Sequence, residues 1–288
     1  MTKDTFCWPD GKRMAVAVTV MLESWSDGKP PPISVQATGL KPGTIDHSGI
    51  AWGTYGGKTG IWRIIRLLSQ NGIRGTFCVN ARSAELYPEA VAQITRSGHE
   101  IAGHAYVQDQ LLAYLSPEEE KETIGRCLSI LETVSGQRPK GWVSPVMAYT
   151  EHTRRFLIEE DMLWHGDGRD VDLPRLVELD GRPIVHIPGS DFTDHRVLKS
   201  STNDLWDVYR NMFDYLYVQE ASGFLALSMH CHFGGRPLVA AVIDRILKYM
   251  KQYPDVWFAS YAEIAEWIKS NGFSPHTYAR RQFENAGA

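Results

Sequence analysis

The stretch MAVAVTVML, Met14–Leu22, is an almost unbroken apolar run that stops at Glu23. Nine residues with no polar alternation read as a strand covered on both faces, the pattern of a parallel sheet with helices packed over it. The rest of the chain repeats the theme. Short apolar runs at residues 75–80, 100–104, 141–145, 163–167, 183–188, 224–230 and 256–260 predict seven further strands. Helical spacing fills the intervals. Ile61, Ile64, Ile65 and Leu68 recur on one face before Asn71-Gly72, and Ser116-Pro117-Glu118-Glu119 is a capping box with proline in the first turn of a helix to about Ser135. Further helices are predicted over residues 88–97, 151–160, 203–220, 237–252 and 262–269. Strands alternating with helices make the chain α/β. The number of units favours a distorted (β/α) barrel of about seven or eight strands over a flat doubly wound sheet.

Composition narrows the function. With 288 residues, 43% of them hydrophobic, and a net charge of only -4, the chain can bury a sizeable core and is not disordered. Lys+Arg number 30 against 34 Asp+Glu with no basic block, which argues against a nucleic-acid partner. No run of 18 apolar residues predicts a membrane span, and the first residues lack the apolar centre of a signal peptide. Cys7, Cys78, Cys127 and Cys231 are far apart and form no CxxC, so they read as reduced thiols. Together these features predict a cytoplasmic protein. GxGxxG and GxxxxGK[ST] are both absent, so nucleotide binding has no support. The chain is read as one domain over residues 1–288. Residues 27–58, rich in Gly and holding Pro30-Pro31-Pro32, read as a long irregular loop: a lid or subunit contact, or else a disordered surface insertion.

In a parallel barrel the C-terminal ends of the strands carry the chemistry. Those ends hold Glu23, His104, Ser144, His165 with Asp167, and His230-Cys231-His232. A carboxylate ending an apolar run must be exposed, paired or functional, and Glu23 is read as functional. His99 and His104 flank one strand five residues apart and point to opposite faces. His99 is therefore read as structural and His104 as a ligand or catalytic group. His230 precedes Gly234-Gly235-Arg236-Pro237, where a glycine turn into a helix could leave backbone N–H groups free for an oxyanion. His232 is open between a functional and a loop role. His47, His152, His195 and His276 show no partner pattern and read as surface residues. Cys231 beside His230 is not read as a nucleophile pair, because adjacent strand residues point apart.

At these residues the chain resembles the NodB-like polysaccharide deacetylase superfamily, the relatives of carbohydrate esterase family 4. Gly98-His99-Glu100-Ile101-Ala102-Gly103-His104 is similar to its GHEIxxH strand, Gly141-Trp142-Val143-Ser144-Pro145 to a middle motif, and Ser228-Met229-His230 with Gly235-Arg236-Pro237 to its late LH…GRP motif. Val256-Trp257-Phe258-Ala259 with Glu263-Ile264-Ala265 resembles its closing segment. The resemblance spans most of the chain and implies a distorted barrel that hydrolyses non-peptide C–N bonds. It also implies a divalent metal, zinc first, held by an aspartate and two histidines four residues apart. Here the corresponding positions are Glu23, His104 and Gln108, and Met21 stands where a catalytic aspartate is usual. Gln is a poor zinc ligand, so the resemblance implies a weak metal site. Two segments, residues 229–237 and 53–63, are similar to the PuuE-type allantoinase branch, described as opening a cyclic ureide without a tightly held metal; bacterial cyclic-imide hydrolases lie nearby.

These features together predict a hydrolase of a small cyclic amide, imide or ureide. Glu23 is the expected base, His104 a ligand or catalytic group, and His230 the acid for the departing nitrogen. Trp25, Met147 and Tyr149 are expected to line the pocket. Arg236 is expected to hold substrate or to orient Asp170 or Asp172. The alternatives are a metal-dependent N-acetyl-sugar deacetylase and a family member that has lost catalysis and binds a small molecule. The expected partners are a small-molecule substrate and copies of the same chain, as a dimer or tetramer.

Overall fold

A computed structural model describes residues 7–34, 40–198 and 201–271. One sheet contains nine strands: β1 (Met14–Leu22), β2 (Thr76–Val79), β3 (Glu100–Gly103), β4 (Gly141–Trp142), β5 (Trp164–His165), β6 (Arg175–Leu179), β7 (Arg182–His186), β8 (Gly223–His230) and β9 (Val256–Phe258). Their order is β6-β7-β5-β4-β3-β2-β1-β8, with β9 paired to the start of β1. Every pairing is parallel except the β6–β7 hairpin. The sheet curls into a distorted (β/α) barrel. Among the described residues its seam is joined by one bridge, Thr193 with Ser228.

β1 is apolar throughout because both of its faces are covered. Val16, Val18, Val20 and Leu22 pack outward against the helices, while Ala15 and Ala17 face the barrel interior with Cys78, Ala102, Trp164, Phe224 and Ala226. Small residues on β1 leave room inside for the large rings of Trp164 and Tyr261, whose centroids lie 4.9 Å apart edge to face. The outer layer includes the helix Ile61–Asn71, closed by Gly72 at φ +64°, and the helix Pro117–Ser135, whose Ser116 and Glu119 form the predicted capping box.

The structure corrects the sequence reading in three places. β6 was not anticipated; it lies at the sheet edge and is only partly buried, so it lacks the continuous apolar signature. The stretch read as irregular up to residue 58 is helical from His47 to Tyr55 and continues as a π-type turn through Gly56–Gly60. A short helix, Ala81–Leu86, also follows β2. No helix among the described residues is long and apolar enough to cross a membrane.

Candidate active site

Side-chain alternation carries three polar groups into one hollow. The inward series of β1 runs Ala15, Ala17, Thr19, Met21 and reaches Glu23 just past the strand. On β8 the inward series ends at His230, and Ser228 two residues earlier shares a hydroxyl hydrogen bond of 2.7 Å with Thr19. On β3 the same parity takes Ala102 to His104. Glu23, His104 and His230 all line one cavity of about 400 Å³ at the C-terminal end of the barrel. Met21, Trp25, Gln108, Ser144 and Met147 share the lining, with Pro32 and Ile33 of the long loop at one wall.

Hydrogen bonds fix the two histidines. His104 Nδ1 donates to the carbonyl of Val143 at 2.6 Å, which leaves the Nε2 lone pair 3.6 Å from Glu23 Oε1 with no hydrogen-bond partner. His230 Nδ1 lies 2.7 Å from Asp194 Oδ1, and its Nε2 lies 3.7 Å from Glu23 Oε1. Asp194 is held in turn by the backbone N–H groups of His230 and His195, both at 2.8 Å. Glu23 Oε1 therefore stands between two imidazoles at distances that leave room for a bridging water or ion.

Electrostatics follow from that arrangement. Burial works against charge on His230, but the carboxylates of Glu23 and Asp194 outweigh it and hold the imidazole well above its usual value. Burial also works against charge on Glu23, yet the positive His230 and the neighbouring imidazoles of His104 and His232 hold its carboxyl well below the usual range. The resting site is one positive charge between two negative ones. His232 Nδ1 lies 3.9 Å from Glu23 Oε2, and its ring sits edge-on to Trp25 and Trp52. Burial pushes it down to about 4, so it is neutral at neutral pH.

Asp167, at the end of a predicted strand, accepts hydrogen bonds from Ser144 N at 2.8 Å and Ser144 Oγ at 2.7 Å. Burial raises its carboxyl from 3.8 to about 6. Such a group binds its proton more tightly in the folded state. The stability this proton contributes is present below the unfolded value and is lost as pH rises through 6. Asp167→Asn should abolish that loss. Melting of variant and parent compared between about pH 4 and pH 7 should show a difference growing in the variant's favour by up to about 3 kcal/mol. A flat difference would contradict it.

Other sequence expectations are corrected. Tyr149 is exposed and does not line the cavity. Arg236 does not line it either. Its guanidinium stacks 3.7 Å from the Tyr55 ring centroid and donates to the carbonyls of Trp52 and His232, bracing the backbone. Asp170 pairs with Arg175 rather than Arg236. The Gly234-Gly235 turn serves close packing: a Cβ on Gly235 would stand 2.4 Å from Gly60 Cα. Cys231 is fully buried, and burial pushes its thiol well up, which removes the thiolate a nucleophile needs. His195 is a cavity residue, not a surface one, with Nδ1 3.3 Å from His230 Nδ1. His47 is exposed, and His276 lies outside the described residues. His99 is structural as expected, accepting from the Gly75 N–H through Nδ1. Sequence reading missed Asp194 altogether. It sits in the segment after β7, and its position next to His195 was the only local signal.

The donor set fits a divalent cation. His104 Nε2 and Gln108 Oε1 are buried polar atoms with no hydrogen-bond partner, both residues line the cavity, and Glu23 lies beside the first of them. The bond from His104 Nδ1 to a backbone carbonyl is the outer support that metal-binding histidines ordinarily have.

Several known proteins resemble this chain in sequence and fold. A family model described as polysaccharide deacetylase matches residues 51–161. A peptidoglycan deacetylase of Helicobacter pylori is 22% identical over 262 residues, which is 77% of this chain and 88% of the relative. A solved structure of a probable polysaccharide deacetylase from Pseudomonas aeruginosa PAO1 superposes with a TM-score of 0.82 at 26% identity, covering 93% of this chain and 95% of that one. The structure of PuuE allantoinase superposes with a TM-score of 0.82 at 28% identity, covering 93% and 94%.

Proposed function

We propose that the chain is a member of the polysaccharide deacetylase superfamily, whose members hydrolyse C–N amide bonds, and that it opens the ring of a small cyclic amide, imide or ureide. The shape of the site carries this reading. Glu23, His104 and His230 face a cavity of about 400 Å³ walled by Trp25, Pro32, Ile33, Val146 and Met147. That space suits a compact, partly apolar ring, whereas a polymer chain needs an open groove. The turn beneath it is strained: Val146 and Met147 both take φ +56°, a region that a β-branched residue such as valine rarely enters.

Hydrolysis of an amide needs an attacking water, a place for negative charge on the carbonyl oxygen, and a proton for the departing nitrogen. His230 is held charged and oriented by Asp194, so its Nε2–H is placed to protonate the nitrogen. Glu23 orients the water and accepts its proton. In the resting site Glu23 is a weak base because His230 is charged beside it. As His230 gives up its proton that stabilisation vanishes and the carboxylate gains basicity, so the two transfers reinforce each other. Glu23, His104 and Gln108 would hold a divalent cation, which when bound supplies polarisation of the water and the carbonyl.

A second reading, removal of N-acetyl groups from a sugar, is supported by the likeness to the Helicobacter pylori peptidoglycan deacetylase. One panel separates the two. Allantoin, hydantoin and succinimide should be hydrolysed, and N-acetylated chito-oligosaccharides should not. Turnover of the oligosaccharides alone would overturn the ring reading, and turnover of neither would favour a chain that only binds.

A further inference from the structure

We propose that Asp194, His195 and His230 form a second divalent-metal site, of the zinc class, whose occupation shuts off the enzyme. The atoms concerned are His230 Nδ1 and Asp194 Oδ1, 2.7 Å apart, and His195 Nδ1, which lies 3.3 Å from the first and 3.7 Å from the second. An ion that binds nitrogen and oxygen at 2.0–2.1 Å in a tetrahedron sets its ligands roughly 3.3 Å apart. The three distances bracket that edge, and all three atoms lie within 4.8 Å of one another. The two imidazoles meet edge to face at 74°, with ring centroids 4.6 Å apart, so their Nδ1 atoms converge instead of stacking. Asp194 is immobilised by the two backbone N–H groups described above. Asp194 and His230 are buried, but His195 opens onto the cavity, which gives an ion an entrance and leaves the fourth position to water.

The site lies on the opposite edge of the His230 ring from Glu23. His230 Nε2 faces the Glu23, His104 and Gln108 group, while Nδ1 faces the new one. Binding exchanges the proton between His230 Nδ1 and Asp194 for the ion; the proton leaves to solvent and nothing is oxidised or reduced. His230 is then a neutral ligand, and a neutral imidazole is a far weaker acid than an imidazolium. The site itself stands on geometry alone. Only the loss of turnover rests on His230 being the acid proposed above.

Metal-free protein titrated with Co²⁺ tests the two parts separately. Tetrahedral cobalt absorbs strongly in the visible, and the parent and Glu23→Gln proteins should both show that band. Combined with Glu23→Gln, so that the carboxylate of the first site is absent from every comparison, His195→Ala and the gentler His195→Gln should lose it, with folding checked by circular dichroism. Zn²⁺ should inhibit the parent at concentrations at least 100-fold lower than those needed for either single His195 variant, each measured against its own metal-free rate. A band that survives both substitutions, or a parent protein without one, overturns the site. A His195-dependent band with undiminished turnover upholds the site and overturns both the shut-off and the assignment of His230 as acid.

Discussion

Glu23→Gln and His230→Asn should each lower turnover of the ring substrate by about 10³-fold, and the double variant by little more than either alone. The size follows from general acid–base catalysis, in which one positioned proton carrier contributes typically 10²–10⁴. The lack of additivity follows from the proposed coupling: Glu23 becomes a good base only as His230 discharges. Their effects on stability should differ. The site holds Glu23, His230 and Asp194 in a row, two negative charges around one positive. Glu23→Gln leaves a balanced Asp194–His230 pair, so its Tm should match or exceed that of the parent. His230→Asn leaves two buried carboxylates without the cation between them and should cost roughly 3 kcal/mol or more, because an unpaired buried charge is penalised far beyond the worth of the pair. Steady-state rates on the panel substrate together with thermal melts would check this. Turnover within tenfold of the parent for both single variants would remove the assignment of these groups, and a Glu23→Gln protein markedly less stable than His230→Asn would contradict the charge arrangement.

The barrel and the three residues at its mouth were legible in the sequence for one reason. A buried strand fixes which way each side chain points, so a polar residue at its tip has its direction set by the apolar residues before it. Ala15 and Ala17 settle the direction of Glu23 in this way, as Phe224 and Ala226 settle that of His230. Residues outside the strands carry no such periodicity. Asp194 lies 36 positions before the histidine it holds, in a segment between β7 and the helix Thr202–Gln219, and no spacing links the two. His195 was hidden for the same reason. Arg236 shows the opposite failure: its place in a motif suggested a ligand, but a long side chain follows the nearest aromatic face, here Tyr55. The β6–β7 hairpin did leave a trace, Asp180-Gly181, which takes φ +52° and +74° at its turn. It went unread because β6 is too polar to look like a barrel strand.

Gly60→Ala should lower stability by about 3 kcal/mol or more, or roughly 6–12 °C in Tm, and should also cost at least tenfold in turnover. A Cβ at residue 60 would stand 1.9 Å from the carbonyl oxygen of Cys231, and one at Gly57 would stand 2.2 Å from the ring of Tyr87. The first obstacle is backbone and cannot rotate away. It belongs to the single helical turn Cys231–Gly234 that follows directly on His230, and that turn rests on the π-type segment Gly56–Gly60. Forcing the two apart moves the end of β8, and with it His230 and His232, so stability and catalysis fall together. This coupling distinguishes the site's bed from ordinary core packing. Gly125 provides the opposite sign. It lies within the helix Pro117–Ser135, and a Cβ there would meet nothing closer than Glu160 Oε1 at 3.4 Å. Alanine is the better helix former by close to 1 kcal/mol, so Gly125→Ala should raise Tm slightly and leave turnover alone. Melts and rates for both variants decide the matter: a Gly60→Ala protein as stable and active as Gly125→Ala would mean that the two backbones do not touch, and that the position of His230 is set by something other than the glycine bed beneath it.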